Sequence, residues 1–295
     1  MSDLRQTAPV GLGTGHTAGR LRLLLRGATG RVGLILVGLL ILLALASASG
    51  LLPHDAVTQN ATVRLQPPSP AYWFGTDQFG RDVFARVAAG VANSARIALV
   101  AVAFATVVGT LAGVAAGFYR GATDAGVSGV TNVLFAFPPL LLALSLASVF
   151  TRTWFTIAIA IAIVYVPIFI RVTRGPVLSL REIEYVKAAV ATGQRRWSIM
   201  ARHILPNITS IIIVQVTLSL SWAVLTEASL SFLGLGTPPP APSLGSMIYE
   251  ARTLVYVAPW TMVAPGVVIV AFVVGLNLLG DGLRDCLDPK NRGRQ

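Results

Sequence analysis

Six long apolar stretches alternate with polar segments along the 295 residues, and they constrain the fold more than any other feature of the chain. A membrane-spanning helix needs about 20 mostly apolar residues, because the hydrocarbon core of a bilayer is about 30 Å thick. Only 12% of the residues are charged, against about 25% in soluble domains. The stretches cover residues 32–52, 95–118, 127–150, 154–170, 208–230 and 259–279. The sequence therefore predicts an all-α integral membrane protein with six transmembrane helices.

Basic residues are distributed unevenly between the segments that would lie on the two sides of the membrane. Of the 23 lysines and arginines, 17 fall on the side of the N-terminus, and seven of these lie between residues 171 and 207. Cytoplasmic loops carry the excess of such residues. Both termini and the 171–207 loop are therefore predicted to be cytoplasmic. The net charge of +11 is explained by basic residues that cluster at the ends of the apolar stretches, as membrane orientation requires. We therefore expect membrane lipid and no nucleic acid as a partner.

The chain divides into four predicted segments. Residues 1–31 form a cytoplasmic tail, residues 32–94 the first transmembrane helix with an extracytoplasmic segment, residues 95–282 the main transmembrane domain, and residues 283–295 a second cytoplasmic tail. A cleaved signal peptide is the alternative for the first helix, since Ala46-Ser47-Ala48 resembles a cleavage site. Its apolar run is longer than the roughly 7–15 residues of a signal peptide, so a retained helix is expected.

Several kinds of chemistry are absent from the sequence. The single cysteine, Cys286, excludes an internal disulfide, and the three histidines are too far apart in sequence for a His-x-x-x-His metal pair. The two lysines, Lys187 and Lys290, lie outside any phosphate-binding G-x-x-x-x-G-K-[ST] motif. Asp281 and Asp285 are spaced like a carboxylate pair, but we expect them to form a solvated helix end. No catalytic residue, metal or cofactor is therefore expected on this chain.

A second long polar stretch, residues 182–207, lies between the fourth and fifth apolar stretches and is dense in basic residues. Ala188 and Ala189 favour a helix in its first half, and Gly193 can provide the backbone reversal that ends it. A second helical run is predicted at residues 197–204, with Pro206 at the first turn of the next helix. The segment therefore predicts a helix, a sharp turn and a second helix before the chain re-enters the membrane.

The spacing of Ala188-Ala189, Gly193 and Leu205-Pro206 resembles the EAA loop of ABC-importer permeases. Residues 73–84, 232–236 and 280–289 also resemble C-type permeases of the dipeptide/oligopeptide/nickel group, in the same order. Two positions depart from the motif: Lys187 replaces its glutamate and His203 replaces its isoleucine. Glu184, one turn before Lys187, is the candidate for the missing carboxylate. An ordinary basic loop required by topology is the alternative for this segment.

The resemblance implies a type I ABC-importer transmembrane domain, multi-pass in the bacterial plasma membrane, that moves peptides by alternating access. It also implies a second, B-type permease, two cytosolic ATPase subunits that carry ATP and Mg, and an extracytoplasmic solute-binding protein. The residues that would couple to the ATPase are Glu184, Tyr185, Lys187, Ala188, Ala189, Gly193, Arg195, Arg196, Leu205 and Pro206. Nickel or another small solute remains an alternative substrate, and a self-contained secondary transporter is an alternative mechanism.

Polarity and position suggest which residues line a translocation path: Phe137, Gln215, Ser219, Trp222 and Glu227. The prolines of Phe137-Pro138-Pro139 must break or kink the third predicted helix. This break is either part of the translocation path or a simple deformation of the helix. Glu227 near the end of its span could lie on the path or at the membrane interface.

Glycines recur at every fourth residue at Gly109, Gly113 and Gly117, which predicts close packing against another helix. For Arg81, Asp82 and Arg86 in the first outer segment, the alternative to a family-specific role is that they are simply solvated.

Overall fold

The computed structural model describes residues 27–287, and the regular secondary structure in this range is helical. This confirms the all-α prediction. The α-helices are α1 (Ala28–Ala48), α2 (Val83–Tyr119), α3 (Gly121–Phe135), α4 (Pro139–Val149), α5 (Trp154–Leu180), α6 (Glu184–Ala191), α7 (Arg196–Ile199), α8 (Leu205–Phe232), α9 (Leu244–Ala251) and α10 (Trp260–Leu287). A π-helical turn, Met200–Ile204, joins α7 to α8. Residues 1–26 and 288–295, which include most of both predicted tails, lie outside the described range.

The described part of the chain contains six candidate membrane spans if a bent helix pair is counted as one. α1, α2, α5, the continuous run Arg196–Phe232 and the helix from Trp260 are each long and apolar enough to cross a bilayer. α3 and α4 pass the same test together, although they meet at an angle of 91°. The break falls at residues 136–138, as the two prolines predicted. Pro139 is the first residue of α4, a position where the missing N–H of proline costs no hydrogen bond within the helix.

α2 begins twelve residues before the predicted start of the second apolar stretch. Asp82 caps it, because its carboxylate accepts hydrogen bonds from the backbone N–H groups of Phe84 at 2.8 Å and Ala85 at 3.4 Å. The additional residues 83–94 carry polar side chains such as Arg86 and Asn93, which are buried against other parts of the chain. With 37 residues, α2 is about 55 Å long, well beyond the thickness of the hydrocarbon core.

The glycine stripe of α2 packs directly on α5. A Cβ atom at Gly109 would lie 2.5 Å from Phe169 Cβ, and one at Gly113 would lie 2.6 Å from the Ile170 carbonyl oxygen. These distances leave no space for a side chain, so the two helices meet backbone to backbone, as small-residue interfaces do in membranes. The predicted role of the stripe in helix packing is confirmed.

The two outer segments, residues 49–82 and 233–259, are joined by buried ion pairs. Arg81 donates to Asp77 at 2.6 Å and to Glu250 of α9 at 2.7 Å, and Arg86 donates to Glu250 at 3.1 Å. Arg86 is only 2% exposed. His54 lies 2.8 Å from Asp82. The alternative that Arg81, Asp82 and Arg86 are simply solvated is therefore wrong: they fix the outer segments to the start of α2.

Candidate coupling loop and translocation groove

The segment that resembles an EAA loop forms the predicted helix and turn. α6 has eight residues and ends before Gly193, whose φ of +75° lies in the left-handed region that favours glycine. The backbone N–H of Gly193 bonds to the Val190 carbonyl at 3.1 Å, and that of Gln194 bonds to the Ala189 carbonyl at 3.2 Å. These bonds satisfy carbonyl groups that the end of a helix leaves free, so the reversal is well defined.

The second helix of the loop is joined to the next membrane helix by a π-helical turn. It starts at Arg196, one residue before the predicted Trp197, and Pro206 lies in the first turn of α8, as predicted. Pro206 has no N–H to donate to the carbonyl four residues earlier, and the wider turn lies immediately before it. The loop and the fifth apolar stretch therefore form one continuous helix from Arg196 to Phe232.

α6 is anchored to the ends of three spans by an apolar cluster. Val186, on the inner face of α6, is fully buried. Its cluster comprises Val114 and Phe118 of α2, Val177 of α5, Ile199, Met200, Ile204 and Ile208, with Ala189 at its edge. Side chains in such a cluster are close-packed, so the inner face of α6 is held in one apolar cluster with α2, α5 and α8.

The opposite face of α6 is open. Nine of the ten candidate coupling residues are exposed: Glu184, Tyr185, Lys187, Ala188, Gly193, Arg195, Arg196, Leu205 and Pro206. The tenth, Ala189, is half-buried against the apolar cluster. These nine residues are therefore accessible on α6, the following turn and the first turns of α7 and α8, and their contact with an ATPase stays a prediction.

Lys187, which stands in place of the motif's glutamate, is paired with Glu182, while Glu184 is exposed and stays the candidate for the missing carboxylate. Lys187 Nζ lies 3.1 Å from Glu182 Oε2, and Arg120 Nη2 lies 2.6 Å from Glu182 Oε1. The hydrogen bond from Lys187 lowers the pKa of Glu182, and Arg120 acts in the same direction. Glu182 precedes α6, so helical spacing alone could not reveal this contact. His203, the other departure from the motif, has its ring edge-on to Tyr185 with centroids 6.0 Å apart.

Four of the five candidate path residues line one groove of about 560 Å³. Phe137 comes from the break between α3 and α4, and Gln215, Ser219 and Trp222 come from α8; α5 forms the third wall. Gln215 Nε2 donates to Ser219 Oγ at 3.1 Å. The lining is Leu134, Phe135, Phe137, Pro139, Leu140, Val164, Tyr165, Ile168, Gln215, Leu218, Ser219, Trp222, Leu225, Thr226 and Ser229. It is aromatic, aliphatic and neutral-polar, with no charged side chain among these residues.

Sequence reasoning missed Tyr165 as a groove residue. Its hydroxyl lies 3.1 Å from Thr226 Oγ1 and links α5 to α8 across the groove. Tyr165 lies in a stretch of aliphatic residues with no polar neighbour in sequence. The one signal in the sequence was a tyrosine in the middle of an apolar span, because a buried tyrosine hydroxyl needs a hydrogen-bond partner.

Glu227 is separate from this groove. It is fully buried, and its carboxylate accepts hydrogen bonds from Ser94 Oγ of α2 and Ser231 Oγ of α8, both at 2.6 Å. A buried carboxylate is costly unless hydrogen bonds compensate it. Glu227 therefore connects α2 and α8 near the outer segments.

Comparison with known proteins supports the resemblance. Residues 109–293 match the family model described as "Binding-protein-dependent transport system inner membrane component". The chain is 44% identical to the dipeptide transport system permease protein DppC of Alkalihalophilus pseudofirmus, over 88% of this chain and 85% of that protein. It is 39% identical to the glutathione transport system permease protein GsiD of Pectobacterium atrosepticum, over 87% of this chain and 86% of that protein.

A solved structure has the same fold. An inward-facing conformation of the MetNI methionine ABC transporter aligns with a TM-score of 0.57 at 19% identity, over 69% of this chain and 96% of that chain. This likeness confirms the predicted type I ABC-importer transmembrane fold. A permease of this kind works with an ATPase and a solute-binding protein, and ATP is hydrolysed on the ATPase subunit. The chain belongs to the binding-protein-dependent transport system inner membrane components, as a multi-pass permease subunit of an ABC importer in the bacterial inner membrane.

Proposed function

We propose that this permease carries dipeptides and oligopeptides, and that it forms half of a translocation pore with a second, B-type permease. Two cytosolic ATPases bind ATP and Mg on the side of the α6 loop, and an extracytoplasmic binding protein delivers the peptide at the outer segments. The observation that carries the proposal is the position of α6. One face of this helix is exposed, and its other face lies in an apolar cluster with residues of three spans. The names of the relatives support peptides as the substrate class.

In this mechanism, α6 is a rigid helix that links the ATPase to the membrane spans. α6 is about 12 Å long from its eight residues, and it is stiff because its backbone is hydrogen-bonded within itself. When the ATPase pair closes on ATP, the surface of Glu184, Tyr185 and Ala188 moves with it. The apolar cluster around Val186 carries that motion to α2, α5 and α8. The spans then change between outward and inward openings.

The groove at Phe137 is the proposed half of the path. Its amide and hydroxyl groups at Gln215, Ser219 and Thr226 can exchange hydrogen bonds with a peptide backbone, and its aromatic side chains offer apolar contact to varied residues. This neutral lining suits peptides of differing charge. It offers a bare nickel ion none of the carboxylate, imidazole or thiolate ligands that such a metal prefers, so nickel is less well supported than peptide.

Uptake by the reconstituted complex tests the proposal. The full chain, its paired permease, the ATPases and the binding protein are placed in liposomes, and uptake of a radiolabelled dipeptide is measured. We expect uptake that needs both ATP and the binding protein and that excess unlabelled dipeptide suppresses. Uptake driven by a proton gradient without ATP would support the secondary-transporter alternative. ATP-driven uptake of nickel with no dipeptide uptake would replace peptide as the substrate.

A further inference from the structure

Two cavities lie along the end of α2 beside the coupling loop. The first, which we call the basic pocket, has a volume of about 360 Å³ and is lined by Phe118, Tyr119, Arg181, Glu182, Lys187, Val190, Ala191 and Arg196. The second, the apolar groove, has a volume of about 390 Å³ and is lined by Thr106, Val107, Thr110, Leu111, Val114, Trp197, Met200, Ala201, Leu205, Thr209 and Ile212. Their linings are neighbours along the chain at two places: Val114 and Phe118 are about one helical turn apart on α2, and Arg196 directly precedes Trp197.

The basic pocket has more positive than negative charge. Three cationic side chains, Arg181, Lys187 and Arg196, face it, with Glu182 as the one carboxylate of the lining. Glu182 is already paired with Lys187 and with Arg120. Among residues 27–287, Arg181 and Arg196 have no carboxylate within 4.0 Å; Arg181 donates to the Phe118 carbonyl, and the Arg196 guanidinium lies 5.6 Å from the Tyr119 ring centroid. The pocket therefore suits an anionic group with several acceptor oxygens.

The apolar groove continues from that pocket along α2. Val107, Leu111, Val114 and Phe118 are four, three and four residues apart, so they form one stripe on the helix surface. From Val107 to Val114 the stripe is about 10 Å long. α2 runs from the outer segment towards the α6 side, so lower residue numbers lie deeper in the membrane. An apolar chain in this groove would thus point from the membrane surface into the bilayer.

We propose that the two cavities bind one anionic phospholipid of the leaflet that the charge distribution assigns to the cytoplasmic side. Its phosphate lies in the basic pocket against Arg181, Lys187 and Arg196, and an acyl chain lies in the groove between α2 and Trp197. The exposed rings of Tyr119 and Trp197 mark the level of the headgroups, where such side chains are favoured. Basic pockets of this kind attract anionic headgroups.

Such a lipid would contact α2, α6 and the helix from Arg196 at once. These are the elements that the apolar cluster around Val186 joins. The lipid site is therefore part of the contact surface between the coupling helix and the membrane spans, and it is independent of the transported substrate.

Native mass spectrometry of the full chain in detergent tests this site. Dioleoyl phosphatidylglycerol and dioleoyl phosphatidylcholine have the same chains and differ in net headgroup charge. We expect tighter retention of phosphatidylglycerol, and a loss of about fivefold in its affinity for each removed charge in Lys187→Gln and Arg196→Gln. Arg202→Gln is the matched control, because Arg202 is exposed but lines neither cavity.

A second pair of variants tests the groove. Ala201→Trp fills it and should also weaken phosphatidylglycerol retention, whereas Val267→Trp, at an exposed position of α10 that lines neither cavity, should not. Equal retention of the two lipids, unchanged by Lys187→Gln, Arg196→Gln and Ala201→Trp, would overturn the proposal. Complete competition by inorganic phosphate would also overturn it, in favour of a soluble anion. Loss of the ATPase subunit from the charge variants with unchanged lipid retention would instead assign the cations to that partner.

Discussion

Replacing Gly193 with isoleucine should separate ATP hydrolysis from transport. Among residues 27–287, no atom lies within 4 Å of a Cβ built at this position, so the expected cost comes from the backbone φ of +75°. An L residue pays about 1–2 kcal/mol in this conformation, and a β-branched one is a marked outlier there. The turn is then about 5- to 30-fold less populated relative to other conformations. α6 would lose its fixed orientation without losing the packing of the spans.

The assay compares dipeptide uptake with ATP hydrolysis in liposomes that contain the full complex. For Gly193→Ile we expect the ratio of uptake to hydrolysis to fall several-fold, with normal membrane insertion. Gly193→Asn should retain most of the coupling, because asparagine tolerates the left-handed region better. Gly126→Ile is a control at an exposed helical glycine that also has open space around it. A wild-type ratio in Gly193→Ile, or a lower ratio in the asparagine variant than in the isoleucine variant, would refute this account of the turn.

Three further predictions concern packing, the outer ion pairs and the groove. Gly113→Leu should lower the Tm in detergent because its side chain has no room against α5, at a cost of about 1–3 kcal/mol, whereas Gly266→Leu, with open space, should not. Glu250→Gln removes one of the two carboxylates that lie within reach of both Arg81 and Arg86, Asp77 being the other. It should cost about 2 kcal/mol of stability, so an unchanged Tm would contradict the network. Trp222→Ala should change the rate of dipeptide uptake without changing ATPase association. Uptake of a series of peptides at wild-type rates by this variant would argue against the groove as the path.

The membrane helices could be predicted from composition, because a helix that crosses a bilayer needs a long apolar run. The residues at which the helices begin and end could not be predicted in this way. The predicted second span covers the apolar residues 95–118, and α2 extends twelve residues further to Val83, with Arg86 and Asn93 buried in this extension. Their partners are distant in sequence: Glu250 is 164 residues from Arg86. A single sequence does not show such pairs, so the outer ion network was missed.

The groove residues of α8 were predictable for a geometric reason. At about 100° per residue, Ser219 lies about 40° around the helix from Gln215 and Trp222 about 20° on the other side, so their polar and aromatic groups share a face. Glu227 lies about 120° away from Gln215, which explains its separation from the groove. The sequence showed its charge but not the buried hydroxyls of Ser94 and Ser231 that accommodate it.

The coupling loop was predictable from local signals in most respects. The alanines and Gly193 specify the helix and its end through backbone preferences alone. The ion pair of Lys187 with Glu182 and Arg120 depends on how the end of α2 meets the start of α6. That meeting is a tertiary feature, so the sequence could not show that Lys187 pairs with Glu182.

Site-specific cross-linking tests most directly whether α6 is the surface that meets the ATPase. The single cysteine, Cys286, is first replaced by serine. A benzophenone is then attached through Ala188→Cys on the exposed face of α6, or through Tyr256→Cys in the second outer segment, where the tyrosine is 97% exposed. The account predicts that the Ala188→Cys probe in the assembled complex links this chain to the ATPase subunit and that the Tyr256→Cys probe does not. Absence of that link from Ala188→Cys, in a complex that still hydrolyses ATP and imports dipeptide, would contradict it.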